Sequence, residues 1–302
     1  MLELIDVGKV YRGGRNAVSG MTLRLGPGLL GLLGPNGAGK SSLMRMCATV
    51  TRPSSGSLLF EGQDAVAHPQ PLRRALGYLP QDFGVHPHLT ALEFLSYLAA
   101  AKGISARSAR ARITELLETV NLTGAARRPL GSYSGGMLRR VGIAQSLLGD
   151  PQVLIVDEPT AGLDPEERVR FRNLLGDLAA DRTVMLSTHI VSDVESVASD
   201  IVLMVGGRSV LRGSPDELSA VVAGRVWEVV VAPEHVPAVQ ARYVVSRMVR
   251  TDAGVRLRVL ADAVPSADAE QVVPGLEDVY LAVVRSSGGP EPLSSMAARG
   301  RP

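Results

Sequence analysis

A glycine-rich loop that ends in lysine and serine carries the clearest chemistry in this sequence. Residues 34–41 read Gly-Pro-Asn-Gly-Ala-Gly-Lys-Ser and directly follow the apolar run at 29–33. Glycines let backbone N–H groups surround phosphate oxygens, and a helix that begins at the lysine adds partial positive charge. The loop therefore predicts a nucleotide site in which Lys40 contacts the β- and γ-phosphates and Ser41 holds Mg²⁺. The predicted nucleotide-binding residues of this segment are Gly34, Asn36, Gly37, Ala38, Gly39, Lys40, Ser41 and Ser42.

An accidental match is a poor explanation of this loop, because the chain is short of lysine. Lys9, Lys40 and Lys102 are its three lysines, although lysine and arginine together number 32. A pattern that requires lysine would arise anywhere in such a chain roughly a few times in a thousand. An ordinary glycine turn is therefore the weaker interpretation.

Two adjacent carboxylates follow a second apolar run, at residues 153–156. Open parallel sheets place their ligands at the carboxyl ends of their strands, which is where Asp157 and Glu158 fall. Successive side chains at a strand end point to different sides. We therefore expect Asp157 to join the Mg²⁺ shell and Glu158 to polarise a water for attack on the γ-phosphate. A solvated helix cap or turn is the alternative.

A third segment, Ser134-Gly135-Gly136, precedes a helical pattern. It offers a hydroxyl and unhindered N–H groups at the start of that helix, which predicts a second anion site. Ser-Gly-Gly turns are common, so the segment gains weight only from its place among the other motifs.

Strands and helices must hold these residues in place. Continuous apolar strands that alternate with helices indicate a parallel sheet covered on both faces. Helical patterns are predicted at about 40–50, 136–148 and 165–179, among others. Residues 2–7 and 21–25 alternate apolar and polar positions and predict half-buried strands. The predicted buried strands are residues 29–33, 153–156, 183–187 and 201–205.

The pattern of predicted strands and helices changes near residue 223, which divides the chain into a main unit at 1–222 and a smaller unit at 223–285. Within the main unit, residues from about 85 to 149 show a purely helical pattern and predict a helical insert. The smaller unit combines strand patterns with a short helix and predicts an α+β fold, in which the turn residues Thr-Asp-Ala-Gly at 251–254 join two strands as a hairpin. Residues 286–302 begin Ser-Ser-Gly-Gly-Pro and predict a disordered tail.

Composition excludes several classes of protein. Hydrophobic residues make up 45% and charged residues 21%, which is ordinary usage for a globular chain. A net charge of +2 provides no excess for a nucleic-acid backbone, so no nucleic-acid partner is expected. Cys47 is the single cysteine and excludes an internal disulfide. No run approaches the ~18 apolar residues of a membrane span, and no secretory signal is expected.

Together the motifs resemble those of the ATP-binding-cassette (ABC) ATPases, in the same order along the chain. The resemblance covers about residues 1–222 and implies an α/β P-loop NTPase domain with a helical subdomain, here followed by a small α+β domain. Tyr133 and Met137 depart from the usual Leu-Ser-Gly-Gly-Gln, but the serine and both glycines are kept. The matching segments are residues 34–41, 78–81, 133–137, 157–164 and 187–189.

The resemblance adds roles for four further residues. It implies that Tyr11 stacks on adenine and that Asp164 communicates across a dimer. It also implies that Gln81 is a Mg²⁺ ligand and links the nucleotide site to a membrane partner. The resemblance further implies that His189 is the switch histidine at the γ-phosphate. Without the other motifs, His189 would be interpreted as a histidine at a strand end or in the core. The implied catalytic residues are Glu158, His189 and Gln81.

The resemblance implies the ATP-hydrolysing subunit of a transporter. Two chains would enclose two MgATP, each between the phosphate loop of one chain and Ser134 of the other, with a separate transmembrane permease subunit. We expect it at the cytoplasmic face of the cell membrane. Residues 276–281, Leu-Glu-Asp-Val-Tyr-Leu, resemble the drug- and antibiotic-resistance exporter branch.

An ABC importer and a soluble ABC ATPase of translation or DNA maintenance are the alternatives. The chain carries one cassette, whereas the translation type usually carries two. The stretch between Lys40 and Asp157 is too short for the long coiled coil of the chromosomal type.

Overall fold

The computed structural model describes residues 1–160 and 162–286. Of the predicted tail only Ser286 falls within them, as the last residue of a helix, and the rest lies outside the described residues. Among the described helices, none combines the length and the apolar character that crossing a membrane requires. The strands are β1 (Leu2–Val10), β2 (Asn16–Leu25), β3 (Gly28–Leu33), β4 (Ser55–Phe60), β5 (Gln63–Asp64), β6 (Leu76–Leu79), β7 (Val153–Asp157), β8 (Thr183–Thr188), β9 (Asp200–Val205), β10 (Arg208–Gly213), β11 (Val226–Val231), β12 (Val244–Thr251), β13 (Gly254–Leu260) and β14 (Glu270–Gln271).

Helices separate most of these strands, and their starts are set by capping side chains. Thr90 and Glu93 form a complete capping box at one helix start, and Ser105 and Ser134 each accept a backbone N–H at another. The α-helices are α1 (Lys40–Cys47), α2 (Gln70–Ala75), α3 (Ala91–Ala101), α4 (Ala106–Thr119), α5 (Gly135–Leu147), α6 (Pro165–Ala179), α7 (Val191–Glu195), α8 (Pro215–Ala220), α9 (Val236–Arg242) and α10 (Leu276–Ser286).

A six-stranded sheet in the order β10-β9-β3-β8-β7-β6 forms the centre of the main unit. Its strands run parallel except β10, which pairs antiparallel with β9 at one edge. The predicted parallel sheet is thus confirmed, with one antiparallel edge strand that was not predicted. Its register sets Leu33 beside Thr188 and Asp157 beside Ser187, so the segments after β3, β7 and β8 meet at one edge.

The apolar run of β3 is continuous because its two faces feed two different cores. Leu30 and Leu32 pack in a cluster with α1 and with the antiparallel sheet β2-β1-β4-β5. Leu29 and Leu33 pack in a second cluster with α3, α4 and α5. Burying a leucine side chain stabilises the fold by about 1.5–3 kcal/mol, so both faces hold this strand under the phosphate loop.

Two predicted helices differ from the observed ones at their ends. The helix expected at 40–50 ends at Cys47, because the chain turns at Thr49, whose φ of 56° lies in the left-handed region. The helix expected at 136–148 begins one residue earlier, since Ser134 caps it through the N–H of Met137.

The C-terminal unit forms a four-stranded antiparallel sheet in the order β12-β13-β11-β14. Its hairpin at 251–254 occurs as predicted. The last helix, α10, packs against α7 and α8 of the main unit. Leu276 and Val279 accordingly belong to the same buried cluster as Val194 and Leu218, so the two units share a core.

Candidate functional site

The phosphate loop leaves β3 and enters α1 through glycines that no other residue could replace. Gly39 is the N-cap of α1 with φ 102°, and a side chain there would collide with the carbonyl oxygen of Ala17. A side chain on Gly34 would collide with the carbonyl oxygen of Met204. The fold therefore requires glycine at both positions, and Lys40 begins the helix as predicted.

Lys40 is buried with its ammonium folded over its own loop. Its Nζ donates to the carbonyl oxygens of Gly34 at 2.6 Å and Pro35 at 3.2 Å. It lies 3.9 Å from Oε1 of Glu158. Burial lowers the pKa of Lys40 from its ordinary value, and the charges of Glu158 and Asp157 oppose that shift. A cation held between carbonyls and carboxylates in this way suits a polyphosphate ligand.

The two adjacent carboxylates point to different places, as predicted. The Ser187 hydroxyl donates to Oδ1 of Asp157 beneath the site. Glu158 has φ 48°, in the left-handed region that disfavours residues with a side chain by roughly 1–2 kcal/mol. This turn directs its carboxylate towards Lys40 and His189 rather than towards Ser187.

His189 follows β8 and lies beside Glu158. Its Nδ1 is 3.2 Å from Oε1 of Glu158, and its side chain is 44% exposed. A half-exposed side chain at the strand end can contact an incoming ligand.

A buried aspartate under the histidine was missed in the sequence. Asp193 in α7 is fully buried, and its Oδ2 accepts from the Thr160 hydroxyl at 2.6 Å. Thr188, the residue before His189, also approaches Oδ2 at 3.5 Å. Asp193 thus joins the segment after Glu158 to the segment that carries the histidine. An aspartate in a short helix reads as a surface residue, so no local signal marked it.

A cavity of about 440 Å³ lies over the phosphate loop. Gln81 and Glu158 both line it, so the loop, the segment after β6 and the end of β7 converge there. Its walls also include residues 15–17, which sequence reasoning did not single out. The predicted site residues that line the cavity are Asn36, Gly37, Ala38, Gly39, Lys40, Ser41, Ser42, Gln81 and Glu158.

Tyr11 lies at one end of this loop, outside the cavity lining. Its hydroxyl is 3.3 Å from Oγ of Ser42. The side chains of Lys9 and Arg15 lie over the Tyr11 ring, at 5.2 and 5.5 Å from its centre.

Besides Tyr11, Gly34, Asp157 and His189, four predicted residues at the starts of helices do not line the cavity. Ser134 and Gly135 are exposed at the start of α5, with Gly136 next to them. Asp164 is exposed as the N-cap of α6, where it accepts from the N–H of Glu167 at 2.9 Å. Within one chain these residues lie apart from the cavity over Lys40.

Comparisons with known proteins agree on one family. Residues 18–161 match the family described as ABC transporter. The chain is 37% identical over 219 residues to an uncharacterized ABC transporter ATP-binding protein of Bacillus subtilis, covering 72% of each chain. It is 36% identical over 219 residues to the Nod factor export ATP-binding protein I of Rhizobium etli, covering 72% of this chain and 69% of that one. It is 35% identical over 268 residues to the daunorubicin/doxorubicin resistance ATP-binding protein of Streptomyces peucetius, covering 88% and 79%.

Solved structures match in fold as well. The ATP-binding subunit of an ABC transporter aligns with a TM-score of 0.66 and 28% identity, covering 72% of this chain and 91% of that one. An ATP-binding cassette solved as a dimer in a post-hydrolysis state, with ADP and Pi bound, aligns with a TM-score of 0.66 and 25% identity, covering 71% and 98%. With the loop, the strand-end carboxylates and the histidine gathered at one sheet edge, this chain belongs to the ABC transporter ATP-binding proteins and is an ATPase of that family.

Proposed function

We propose that this ATPase drives the export of a drug-like, antibiotic or lipid-like compound through a separate transmembrane permease subunit. It acts as a homodimer that closes on MgATP at the cytoplasmic face of the cell membrane. Closure on ATP and opening after hydrolysis shift the permease between two states, because ATP binds the closed form better.

The observation that carries the dimer is the exposed start of α5. Ser134 and Gly135 offer a helix N-terminus that suits an anion, yet they lie outside the cavity over Lys40. A second chain can bring its Ser134 to that cavity and complete it. The similarity to a cassette solved as a dimer supports the same arrangement. Asp164, exposed at the start of α6, is in reach of a partner chain and is assigned to communication across the dimer.

The oxygen donors around the phosphate loop fit Mg²⁺. A Ser41 hydroxyl, a Gln81 amide and an Asp157 carboxylate are the hard ligands that Mg²⁺ accepts together with substrate phosphates. The ion, when bound, neutralises charge on the β- and γ-phosphates. Ser41 and Gln81 line the cavity, and Asp157 is buried next to Glu158, which also lines it.

The protein's own groups supply the remaining chemistry. Lys40 binds the β- and γ-phosphates from the loop, and Glu158 polarises the attacking water from the end of β7. His189, 3.2 Å from Glu158, contacts the γ-phosphate. Tyr11 stacks on adenine at the Ser42 end of the loop, where Arg15 brings a positive charge close to the ring.

Two of the relatives favour export over import. The similarity to the daunorubicin/doxorubicin resistance protein extends over 268 residues and therefore includes part of the C-terminal unit. A second relative is described as a Nod factor export protein. The Nod factor name states export, and the other name states drug resistance, which export of the drug would produce.

Complementation between two inactive variants tests the composite site. Lys40→Ala and Ser134→Arg each spoil both sites of a homodimer, so each alone should lose nearly all ATPase activity. Mixed dimers contain one site with both lesions and one with none, so mixing should restore part of the activity. Subunit exchange is measured separately with differently tagged chains. Full activity of the Ser134→Arg homodimer would remove Ser134 from the site and contradict the proposal.

Transport direction is tested in vesicles that carry the chain and its membrane subunit. Inside-out vesicles given MgATP should accumulate daunorubicin, and vesicles with Glu158→Gln should not. Uptake only by right-side-out vesicles loaded with ATP would identify an importer instead.

A further inference from the structure

Arg139 in α5 makes an unusual set of hydrogen bonds behind the nucleotide site. Its side chain is buried, with 8% of the residue exposed. An arginine has five N–H donors, and here each donor finds a backbone carbonyl oxygen. The bonds are Nε to Pro159 at 3.1 Å, Nη1 to Pro80 at 3.0 Å and Gln81 at 2.8 Å, and Nη2 to Asp157 at 2.6 Å and Glu158 at 2.5 Å.

These carbonyls come from two separate segments that both face the cavity. Residues 80–81 follow β6, and residues 157–159 end and follow β7. Gln81 and Glu158 line the cavity, and their carbonyl oxygens accept hydrogen bonds from Arg139. One rigid guanidinium therefore fixes the spacing between two functional segments from the protein side.

Arg139 also accounts for the backbone turn at Glu158. Three successive carbonyls, of residues 157, 158 and 159, converge on the one guanidinium. Such convergence requires a sharp turn, and Glu158 has a φ of 48°. Buried carbonyls without partners are costly, so Arg139 stabilises the very conformation that directs the Glu158 carboxylate into the site.

The helix that carries Arg139, α5, begins just after Ser134, which is proposed to contact the second chain. Arg139 lies five residues after Ser134, about 7.5 Å along the helix axis. A displacement at the start of α5 is therefore transmitted to the backbone of Gln81 and Glu158 through a single rigid element.

We propose that Arg139 is a positioning residue for ATP hydrolysis, which holds the backbone of Gln81 and Glu158 in register with each other and with the start of α5. It does not line the cavity and acts through Glu158. The inference rests on the proposed role of Glu158.

Arg139→Lys tests the proposal, because lysine keeps the charge but can donate at most three of the five bonds. Sites are counted by ATP titration, and hydrolysis is measured in a single turnover as the rate per bound ATP. We expect this rate to fall at least tenfold while the Kd for ATP stays within threefold. Normalising to titrated sites keeps a partly unfolded sample from imitating the effect.

Arg112→Lys is the matched control. Arg112 also donates to a backbone carbonyl of α5, that of Leu147 at 3.1 Å, but at the end of the helix remote from the site. The hydrolysis rate per bound ATP of Arg112→Lys should stay within twofold of the rate of the unmodified chain. An unchanged rate in Arg139→Lys would overturn the proposal, and so would an equal fall in Arg112→Lys.

The double variant separates positioning from general support of the fold. If Arg139 acts through Glu158, adding Arg139→Lys to Glu158→Gln should lower the remaining rate by less than twofold. A further tenfold fall would overturn the route through Glu158. Full hydrolysis in Glu158→Gln alone would overturn the proposed role of Glu158 itself, which distinguishes that failure from a failure confined to Arg139.

Discussion

Lys40 in the nucleotide site and Asp278 in the C-terminal unit are both buried charged residues, but their partners differ in kind. Lys40 donates to two backbone carbonyls, and the nearest carboxylate is 3.9 Å away. Asp278 accepts from the Arg258 guanidinium at 2.8 Å, the Ser246 hydroxyl at 2.5 Å and the N–H of Gly275 at 2.9 Å. Lys40 is thus held by backbone carbonyls. Asp278 is held at the start of α10 by two side chains and one backbone N–H.

The difference separates a group kept for a ligand from a group used for stability. Because carbonyls accept the hydrogen bonds of Lys40, the Glu158 carboxylate keeps only a looser contact with Lys40, at 3.9 Å, and one with His189, at 3.2 Å, so it can act on a ligand. Asp278 has both oxygens engaged and is 2% exposed, so it has no capacity left for a ligand. Substitutions at the site should therefore change rates, and substitutions at Asp278 should change the free energy of unfolding.

The largest expected effect is that of Glu158→Gln. It keeps the shape of the side chain but removes the carboxylate, so hydrolysis should fall by about 10²–10⁴-fold while ATP still binds. Phosphate release gives the rate, and gel filtration with ATP should show a persistent dimer. Glu118→Gln, at an exposed position of α4, is the control. Near-normal phosphate release would assign Glu158 a structural role.

Asp278→Asn should act in the opposite way. It removes the charge that pairs with Arg258, and breaking a buried pair on one side costs about 3 kcal/mol of unfolding free energy. Urea unfolding measures this loss, and the rate of ATP hydrolysis per folded molecule should stay within twofold. A large fall in the hydrolysis rate with unchanged stability would contradict the assignment of Asp278 to stability.

Acid should erase the difference between the Asp278→Asn variant and the unmodified chain. Burial raises the pKa of Asp278, but hydrogen bonds from Arg258, Gly275 and Ser246 outweigh it and hold the pKa below its ordinary 3.8. A carboxyl with a lowered folded-state pKa stabilises above its unfolded value and loses that stabilisation as the pH falls through the folded one. The stability gap should be constant from pH 7 to about pH 5 and shrink below pH 4. A gap that widens in acid would contradict this.

The smallest effect is expected where the two units meet. The N–H of Leu276 donates to Oε1 of Glu195 at 3.2 Å, joining α10 to α7. Glu195 is exposed, so Glu195→Ala should cost only about 0.5–1 kcal/mol of unfolding free energy. Thermal unfolding measures this loss of stability, with Glu118→Ala as the control variant. A loss as large as that of Asp278→Asn would mean that this contact, rather than the shared apolar core, holds the units together.

Local motifs predicted the parts of the site that follow directly from a strand. The phosphate loop and the pair Asp157 and Glu158 were found because a buried strand has a continuous apolar pattern and its end is a fixed place in the sheet. The buried strands were predictable for the same reason, and the C-terminal hairpin was predictable from its turn residues at 251–254. The antiparallel edge strand β10 was not, because its residues are mostly exposed and carry no apolar run.

The parts that depend on distant contacts left no such signal. Arg139 binds carbonyls up to 59 positions away, and an arginine on a helix reads as a solvated residue until that helix is placed against the sheet. Asp193 is buried only because α7 packs beneath the segment after Glu158. The union of α10 with the main core likewise joins residues far apart in sequence.

The packing of α10 against the main unit has a consequence for folding during synthesis. Leu276 and Glu195 are 81 positions apart, and the buried cluster that includes Val194 and Leu218 is completed only by α10. A chain emerging from the ribosome folds from its N-terminus, yet the helix that follows His189 gains its packing partner α10 only after residues 276–286 have been synthesised. The ATPase core is thus finished only when the C-terminal unit arrives, so a prematurely terminated chain presents an apolar face to the cell's proteases and chaperones.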